Sequence, residues 1–365
     1  MVETQGDRVV EARRRRGGRV NPAPPARSRA AWWSLAVVVV AIVATFLPAR
    51  AATETKVTTP KARVGLVFDV GGRGDKSFND AAYIGVSRAE RELGVEVSYL
   101  EPASTEDREA ALRLFAARGV DLVIGVGFIF SSDIDAVARA YPDVRFAGVD
   151  YAPGPAGIPP NVAAIAFREE EGSFLVGAAA GLLSKSGHVG FVGGMVGPLI
   201  RKFEVGYAAG VAAACPRCVV HVGYAGTTPD AFRDPAKGKA LANAQIAAGS
   251  DVLYHASGST GHGVFEAAAS ANVKAIGVDA DQYDEMPGTV VTSMIKRGEV
   301  AVFEIVRAIV EHRFEGGMRT FGLAEDGVDW VHEGPHAASI PDDVKARVAD
   351  LRAAVIAHRI TIPNR

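Results

Sequence analysis

Cysteine is almost missing: Cys215 and Cys218, in the segment CPRC, are the only two in 365 residues. So few sulfurs exclude a disulfide scaffold, and two cannot close a structural zinc site. The pair follows an Ala-rich helical stretch and precedes the strand-like VVHVGYAG, whereas a redox motif opens a helix after a strand. A local disulfide closing a turn is expected. No Gly-x-Ser-x-Gly elbow is present: SGSTGHG, Ser257 to Gly263, lacks the spacing, and His262 reads as an exposed helix-start residue, not a base. No zinc hydrolase is expected from the eight histidines. Surplus positive charge is missing too. Nine arginines against three acids before Ala51 put +6 on that segment, so a chain total of −2 leaves −8 for the rest. An acidic body excludes a nucleic-acid partner, because phosphate contacts need a basic face. A small, uncharged ligand fits better.

What is present begins with an arginine-rich stretch and the apolar run AAWWSLAVVVVAIVATFL, Ala30 to Leu47. Ala49-Arg50-Ala51 then offers small residues at signal-peptidase spacing, so residues 1–51 are read as a leader of the general secretory route. The apolar run is also just long enough to stay as an anchor. The expected location is periplasmic or at the cell surface.

From Ala62 onward, short β-branched runs alternate with Ala-rich helical segments. Ten runs read as strands, from RVGLVFD to TVVTSMI, and segments such as Ser77–Leu93, Thr105–Arg118, Ile134–Tyr141 and Asp342–His358 read as helices. The alternation predicts an α/β chain with parallel sheets, divided in two near Phe167-Arg168-Glu169. Ligands of such sheets sit beyond the carboxyl ends of the strands. Several strands here end in a polar residue or glycine, among them Asp69, Asp150, Gly258 and Asp279.

The glycine-rich stretch FDVGGRGDKSFND, Phe68 to Asp80, is not a phosphate loop. Asp75 stands where the Walker pattern needs glycine, and a carboxylate there repels phosphate. It also fails as a dinucleotide fingerprint, since Gly72-Arg73-Gly74 continues to Ser77. The segment does place an aromatic, Phe78, and an amide, Asn79, beside the carboxylate of Asp69, a set suited to a flat, hydrogen-bonding, uncharged ligand. Equally, Phe78 could pack in a core and Asn79 could cap a helix.

Several segments taken together resemble a known family: FDVGGRGDKSFND, FREEEGSFLVGAAAGLLSKSGHVGFVGGMVGPLIRKFEVGYAAGV, FRDPAKGKALANAQIAAGSDVLYHASGSTGHGV, GVDADQ and TSMIKRG. They are similar to the basic membrane protein family of ABC-transporter substrate-binding proteins, whose PnrA-like branch comprises purine nucleoside receptors. The resemblance implies a type I periplasmic-binding fold, with two Rossmann-like doubly wound lobes joined by three crossovers. It implies a first lobe of residues 62–166 with about 294–316, a second of 167–293 with about 317–340, and a C-terminal helix and tail from 341 to 365. By motif position Phe78 and Phe232 would sandwich the base, and Asp69 and Asn79 would bond its polar edge. Asp150, Gly258, Asp279 and Lys296 would contact ribose or base; the spacing also admits Asp133 for Asp150. The implied protein is a monomer without enzymatic activity, cofactor or metal, which hands a nucleoside to an ABC permease. A ligand-sensing module reporting to a membrane receptor is an alternative role, and a nucleoside-cleaving enzyme a more distant one. Many members carry a lipid-modified cysteine after the leader; none stands there in this chain.

Overall fold

The computed structural model describes residues 60–102 and 107–365. The leader expected at 1–51 lies outside the described residues, as do the first two positions of the helix expected from Thr105.

Two six-stranded sheets carry the fold. The first contains β1 (Arg63–Val67), β2 (Glu96–Leu100), β3 (Leu122–Val126), β4 (Arg145–Val149) and β5 (Val162–Phe167). The second contains β6 (His188–Met195), β7 (Val219–Gly226), β8 (Val252–Ala256), β9 (Lys274–Gly277) and β10 (Val290–Lys296). These ten strands are the ten runs named from the sequence. Two more, β11 (Gly317–Phe321) and β12 (Val328–Trp330), complete the sheets. Strand order is β11-β5-β4-β3-β1-β2 in one sheet and β12-β10-β9-β8-β6-β7 in the other, so the second lobe repeats the first. Central strands such as LVIGV of β3 are buried along their whole length, which a parallel strand covered by helices on both faces requires. The edge strand β2 is largely exposed and accordingly mixes Glu96 and Ser98 with apolar residues.

Between the strands run α1 (Phe78–Leu93), α2 (Asp107–Ala117), α3 (Ser131–Ala140), α4 (Glu169–Leu183), α5 (Pro198–Ala214), α6 (Pro235–Ala247), α7 (Gly261–Ala271), α8 (Gly298–Val310) and α9 (Asp342–Ile356). The start of α1 is fixed by Asp75, whose carboxylate accepts from the backbone N–H groups of Ser77, Asn79 and Asp80. Its end is fixed by Gly94, which takes a left-handed turn at φ 71°. Helices α4 and α5 touch backbone to backbone. A β-carbon at Gly210 would lie 2.0 Å from the Phe174 carbonyl oxygen, so only glycine permits that approach.

The chain passes from the first sheet to the second after β5, returns after β10 to place α8 against α1, and crosses a third time between β11 and β12. Two lobe boundaries expected from the sequence need correction. Gly317–Phe321, expected in the second lobe, pairs in parallel with β5 of the first sheet. Met294 to Lys296, expected in the first lobe, belong to β10 and pair with β12 of the second. Edge strands such as β11 alternate half-buried and exposed residues, a weak apolar signal, and backbone pairing decides their sheet. The last helix, α9, buries Val344, Val348, Leu351 and Val355 along one stripe and packs on α4.

Candidate functional site

The carboxyl ends of the strands in both sheets converge on one cavity. Around it stand Asp69, just past β1, Phe78 and Asn79 in the first turn of α1, and Asp150 at the end of β4. The second lobe contributes Gly258 and Asp279 beyond β8 and β9, Lys296 as the last residue of β10, and Phe232 from the turn after β7. The structure thus brings together all eight residues named from the sequence. Asp133, the alternative to Asp150, pairs with Arg108 instead, 3.2 Å away, and does not line the cavity.

Asp150 and Asp279 occupy equivalent places, each closing the triplet Gly-Val-Asp, at 148–150 and 277–279. Both adopt left-handed backbone, φ 59° and 66°. For a residue other than glycine that conformation costs on the order of 1 kcal/mol, and aspartate tolerates it better than most. The turn swings each carboxylate inward.

Their bonds cross between lobes. Lys296 of β10 places its Nζ 2.7 Å from Asp150 Oδ2 and 3.7 Å from Asp279 Oδ1. Ser77, next to α1, donates its hydroxyl to Asp279 Oδ2 at 2.7 Å. Lys296 also sits 4.5 Å from the centre of the Phe78 ring, a cation–π contact. Burial alone would lower the Lys296 pKa, but Asp150, Asp279 and Glu169 overcome that cost and hold it above its ordinary value. Burial raises the Asp150 pKa, opposed by Lys296. Asp150 Oδ1 and Asp279 Oδ1 are left buried with no hydrogen-bond partner. Two such acceptors in one cavity call for donors from a ligand.

Asp69 keeps some surface toward the cavity, yet its carboxyl is enclosed by protein, and burial pushes its pKa up to about 7 against the opposing N–H of Val70. Asn79 is largely committed within the protein: its Oδ1 accepts from the Asp69 N–H at 2.9 Å and its Nδ2 donates to Asp75 at 3.0 Å. It therefore braces Asp69 while leaving one donor unused. The helix cap is Asp75, which also reaches the cavity wall and was read from the sequence only as an obstacle to phosphate. The Phe232 ring rests on Gly194, where a β-carbon would lie 2.3 Å from the ring.

The sequence reasoning missed the apolar wall, made by Phe128 after β3 and by Leu199, Ile200 and Phe203 of α5. Phe128 carried a usable signal, since it ends a strand on the same side as the acids. The first turn of α5 carried none, because an apolar helix face reads as core. Cys215 and Cys218 are joined at the turn between α5 and β7, away from the cavity lining.

The histidines require a correction. His332-Glu333-Gly334-Pro335-His336 does have the His-Glu-x-x-His spelling of zinc hydrolases, overlooked in the sequence. That chemistry needs both histidines on one helix face. Here Gly334 is left-handed, φ 76°, and Pro335 begins a separate short turn, so His332 stacks on Trp330 and His336 on Tyr283. Among the described residues, no three potential ligands are grouped to hold a metal ion.

A family profile described as ABC transporter substrate-binding protein, PnrA-like, matches residues 62–364. An uncharacterised lipoprotein of Pyrococcus abyssi is 37% identical over 288 residues, covering 76% of this chain and 71% of that protein. The ABC transporter nucleoside-binding protein BmpA of Lactococcus lactis is 31% identical over 335 residues, 86% of this chain and 92% of BmpA. Among solved structures, an ABC transporter solute-binding protein from Aeropyrum pernix superposes with a TM-score of 0.76 at 32% identity, covering 83% of this chain and 94% of that one. A second, from Conexibacter woesei, gives 0.67 at 28% identity. These are type I binding-protein folds, and a protein of this kind works outside the cytoplasm, receiving a small molecule and passing it to a permease. No helix among the described residues is long and apolar enough to cross a membrane. With its profile matched across both lobes, the chain belongs to the PnrA-like ABC transporter substrate-binding proteins: it is a solute-binding protein of an ABC transport system, not an enzyme.

Proposed function

We propose that the solute is a nucleoside, with a purine base as the preferred body. The carrying observation is the pairing of apolar aromatic walls with unpartnered carboxylate oxygens. Phe78 and Phe232 line the cavity from different lobes, while Asp150 Oδ1 and Asp279 Oδ1 lack donors. Vicinal ribose hydroxyls are such donors, and bonds to a carboxylate are the stronger, charge-assisted kind. A phosphate is disfavoured, because Asp150 and Asp279 face the cavity and Lys296, the only lysine or arginine in its lining, is already bonded to Asp150.

Binding couples to closure because the cavity is built from both lobes. A ligand favours the closed form only by contacts better made there. The bonds Lys296–Asp150 and Ser77–Asp279 each join one lobe to the other, so a sugar seated on these acids strengthens the closed state. Closure then offers both lobe surfaces to the permease. The proposed export route ends with a mature chain in a periplasm or at the cell surface.

Calorimetric titration with inosine, guanosine, adenosine and their 5′-monophosphates tests this reading. A purine nucleoside is expected to bind at least about a hundredfold tighter than its monophosphate, since a buried like-charge contact costs several kcal/mol. Equal affinity for the two, or binding of free sugars alone, overturns it.

A further inference from the structure

Beside the acids lies a chain of buried polar groups with no role assigned so far. His255, Ser257 and Gln282 are all nearly inaccessible, and Ser257 lines the cavity. Gln282 Nε2 donates to the Lys76 carbonyl of the opposite lobe at 3.1 Å, and Gln282 Oε1 accepts from the Val278 N–H at 2.8 Å. A carbonyl only accepts and a peptide N–H only donates, so both ends of the amide are fixed in orientation. His255 Nε2 stands 3.1 Å from the same Oε1 and must be the protonated nitrogen. The ring is enclosed by protein, with Phe265 edge-on 5.0 Å away, and burial pushes its pKa down to about 3, so it stays uncharged. Its Nδ1 therefore offers only a lone pair. Ser257 Oγ, 3.2 Å from that nitrogen, must spend its proton there.

We infer that Ser257 is a specificity residue that meets the ligand as a hydrogen-bond acceptor only, selecting a hydroxyl or N–H at that place and refusing a carbonyl, ether or bare ring nitrogen. A free serine hydroxyl rotates to suit either kind of partner. Here the direction of every bond runs from the ligand through Ser257, His255 and Gln282 to the Lys76 carbonyl. An acceptor in the ligand would face lone pairs in a dry site, which is where polar mismatches discriminate most. The chain also ends on the other lobe, so the same bonds that set the polarity of Ser257 help hold the lobes together. This inference rests on the nucleoside reading only for its choice of probes.

The test is a set of calorimetric titrations of wild type and Ser257→Ala with inosine, its 2′-, 3′- and 5′-deoxy analogues and N1-methylinosine, which remove its donors one at a time. One deletion is expected to weaken wild type about tenfold, while Ser257→Ala binds that analogue and inosine alike. If the serine substitution and every deletion add independently, the inference fails while the nucleoside reading stands. If wild type binds none of inosine, guanosine and adenosine, that reading fails, and the inference is then judged without ligand. Histidine ¹⁵N shifts of the full chain should show His255 bare at Nδ1 and protonated at Nε2 from pH 8 to pH 5, with the tautomers mixing in Gln282→Leu. A proton on Nδ1 in wild type overturns it.

Discussion

The two lobes share one strand order but not one chemistry. Both end their fourth strand in Gly-Val-Asp with a left-handed aspartate, yet Asp150 is held by a lysine from the second lobe and Asp279 by a serine from the first. Register places Asp69 past β1 where Gly194 stands in β6, so the first lobe offers a carboxylate at the point where the second offers a bare backbone covered by Phe232. Even the last strands differ: β11 runs parallel to its neighbour and β12 antiparallel. The repeated scaffold aims both aspartates at one cavity. The departures from repetition decide what that cavity binds and make each lobe incomplete without the other.

The sharpest way to break this exchange is to remove Lys296. It is 2% exposed and faces the carboxylates of Asp150 and Asp279, with Glu169 also close enough to raise its pKa. Lys296→Met leaves buried acids without their cation, a loss expected to cost about 3–5 kcal/mol and to lower the melting temperature by on the order of 10 °C without ligand. Adding Asp150→Asn should restore part of that stability, because the orphaned charge is then gone. A single variant as stable as wild type would mean that the acids are neutral in the closed form.

A second, smaller effect separates the lobes by pH. Asp69 and Glu169 are both pushed by burial to about 7, and the second lobe has no acid at the place of Asp69. The folded state keeps the Asp69 proton up to about pH 7, whereas the unfolded chain releases it near the ordinary aspartate value of 3.8. Raising the pH between those values therefore favours unfolding, and the loss levels off above about 7. His255 acts oppositely, since its pKa is lowered by burial, so the wild-type slope mixes both signs. The clean measurement is Asp69→Asn against wild type in thermal melts from pH 5 to pH 8. The variant should gain on wild type as pH rises, by about 1–2 kcal/mol once discounted for the cavity-facing surface of Asp69. A constant gap removes the elevated Asp69 from the account.

Most of this architecture is legible in the sequence because parallel strands buried on both faces read as unbroken apolar runs, and because acids and glycines at their ends interrupt those runs where the cavity lies. What stays hidden is of two kinds. Edge strands such as β11 alternate half-buried and exposed residues without a matching apolar pattern and owe their place to backbone pairing with β5, which leaves no side-chain signature. Polar chains such as the one from Ser257 and His255 to Gln282 and the Lys76 carbonyl close between segments remote in sequence, and each residue alone reads as an ordinary loop or core residue. The His-Glu-x-x-His spelling teaches the converse: a motif without its helix carries no chemistry.

The smallest effect concerns the two aromatic rings, and it sharpens the comparison rather than breaking it. Phe78 opens α1 of the first lobe, with Lys296 over its face; Phe232 leans on Gly194 of the second. Stacking on a base contributes about 1–3 kcal/mol per ring. Phe78→Leu and Phe232→Leu each keep an apolar side chain but lose the flat face, so each should weaken a bound purine nucleoside about tenfold in calorimetric titration. The lobes should differ in a second readout. Phe232→Leu puts a branched chain against a glycine surface shaped for a ring and should lower the ligand-free melting temperature by about 2 °C more than Phe78→Leu. If leucine at both places preserved affinity, the rings would be packing elements, and recognition would rest on the carboxylates alone.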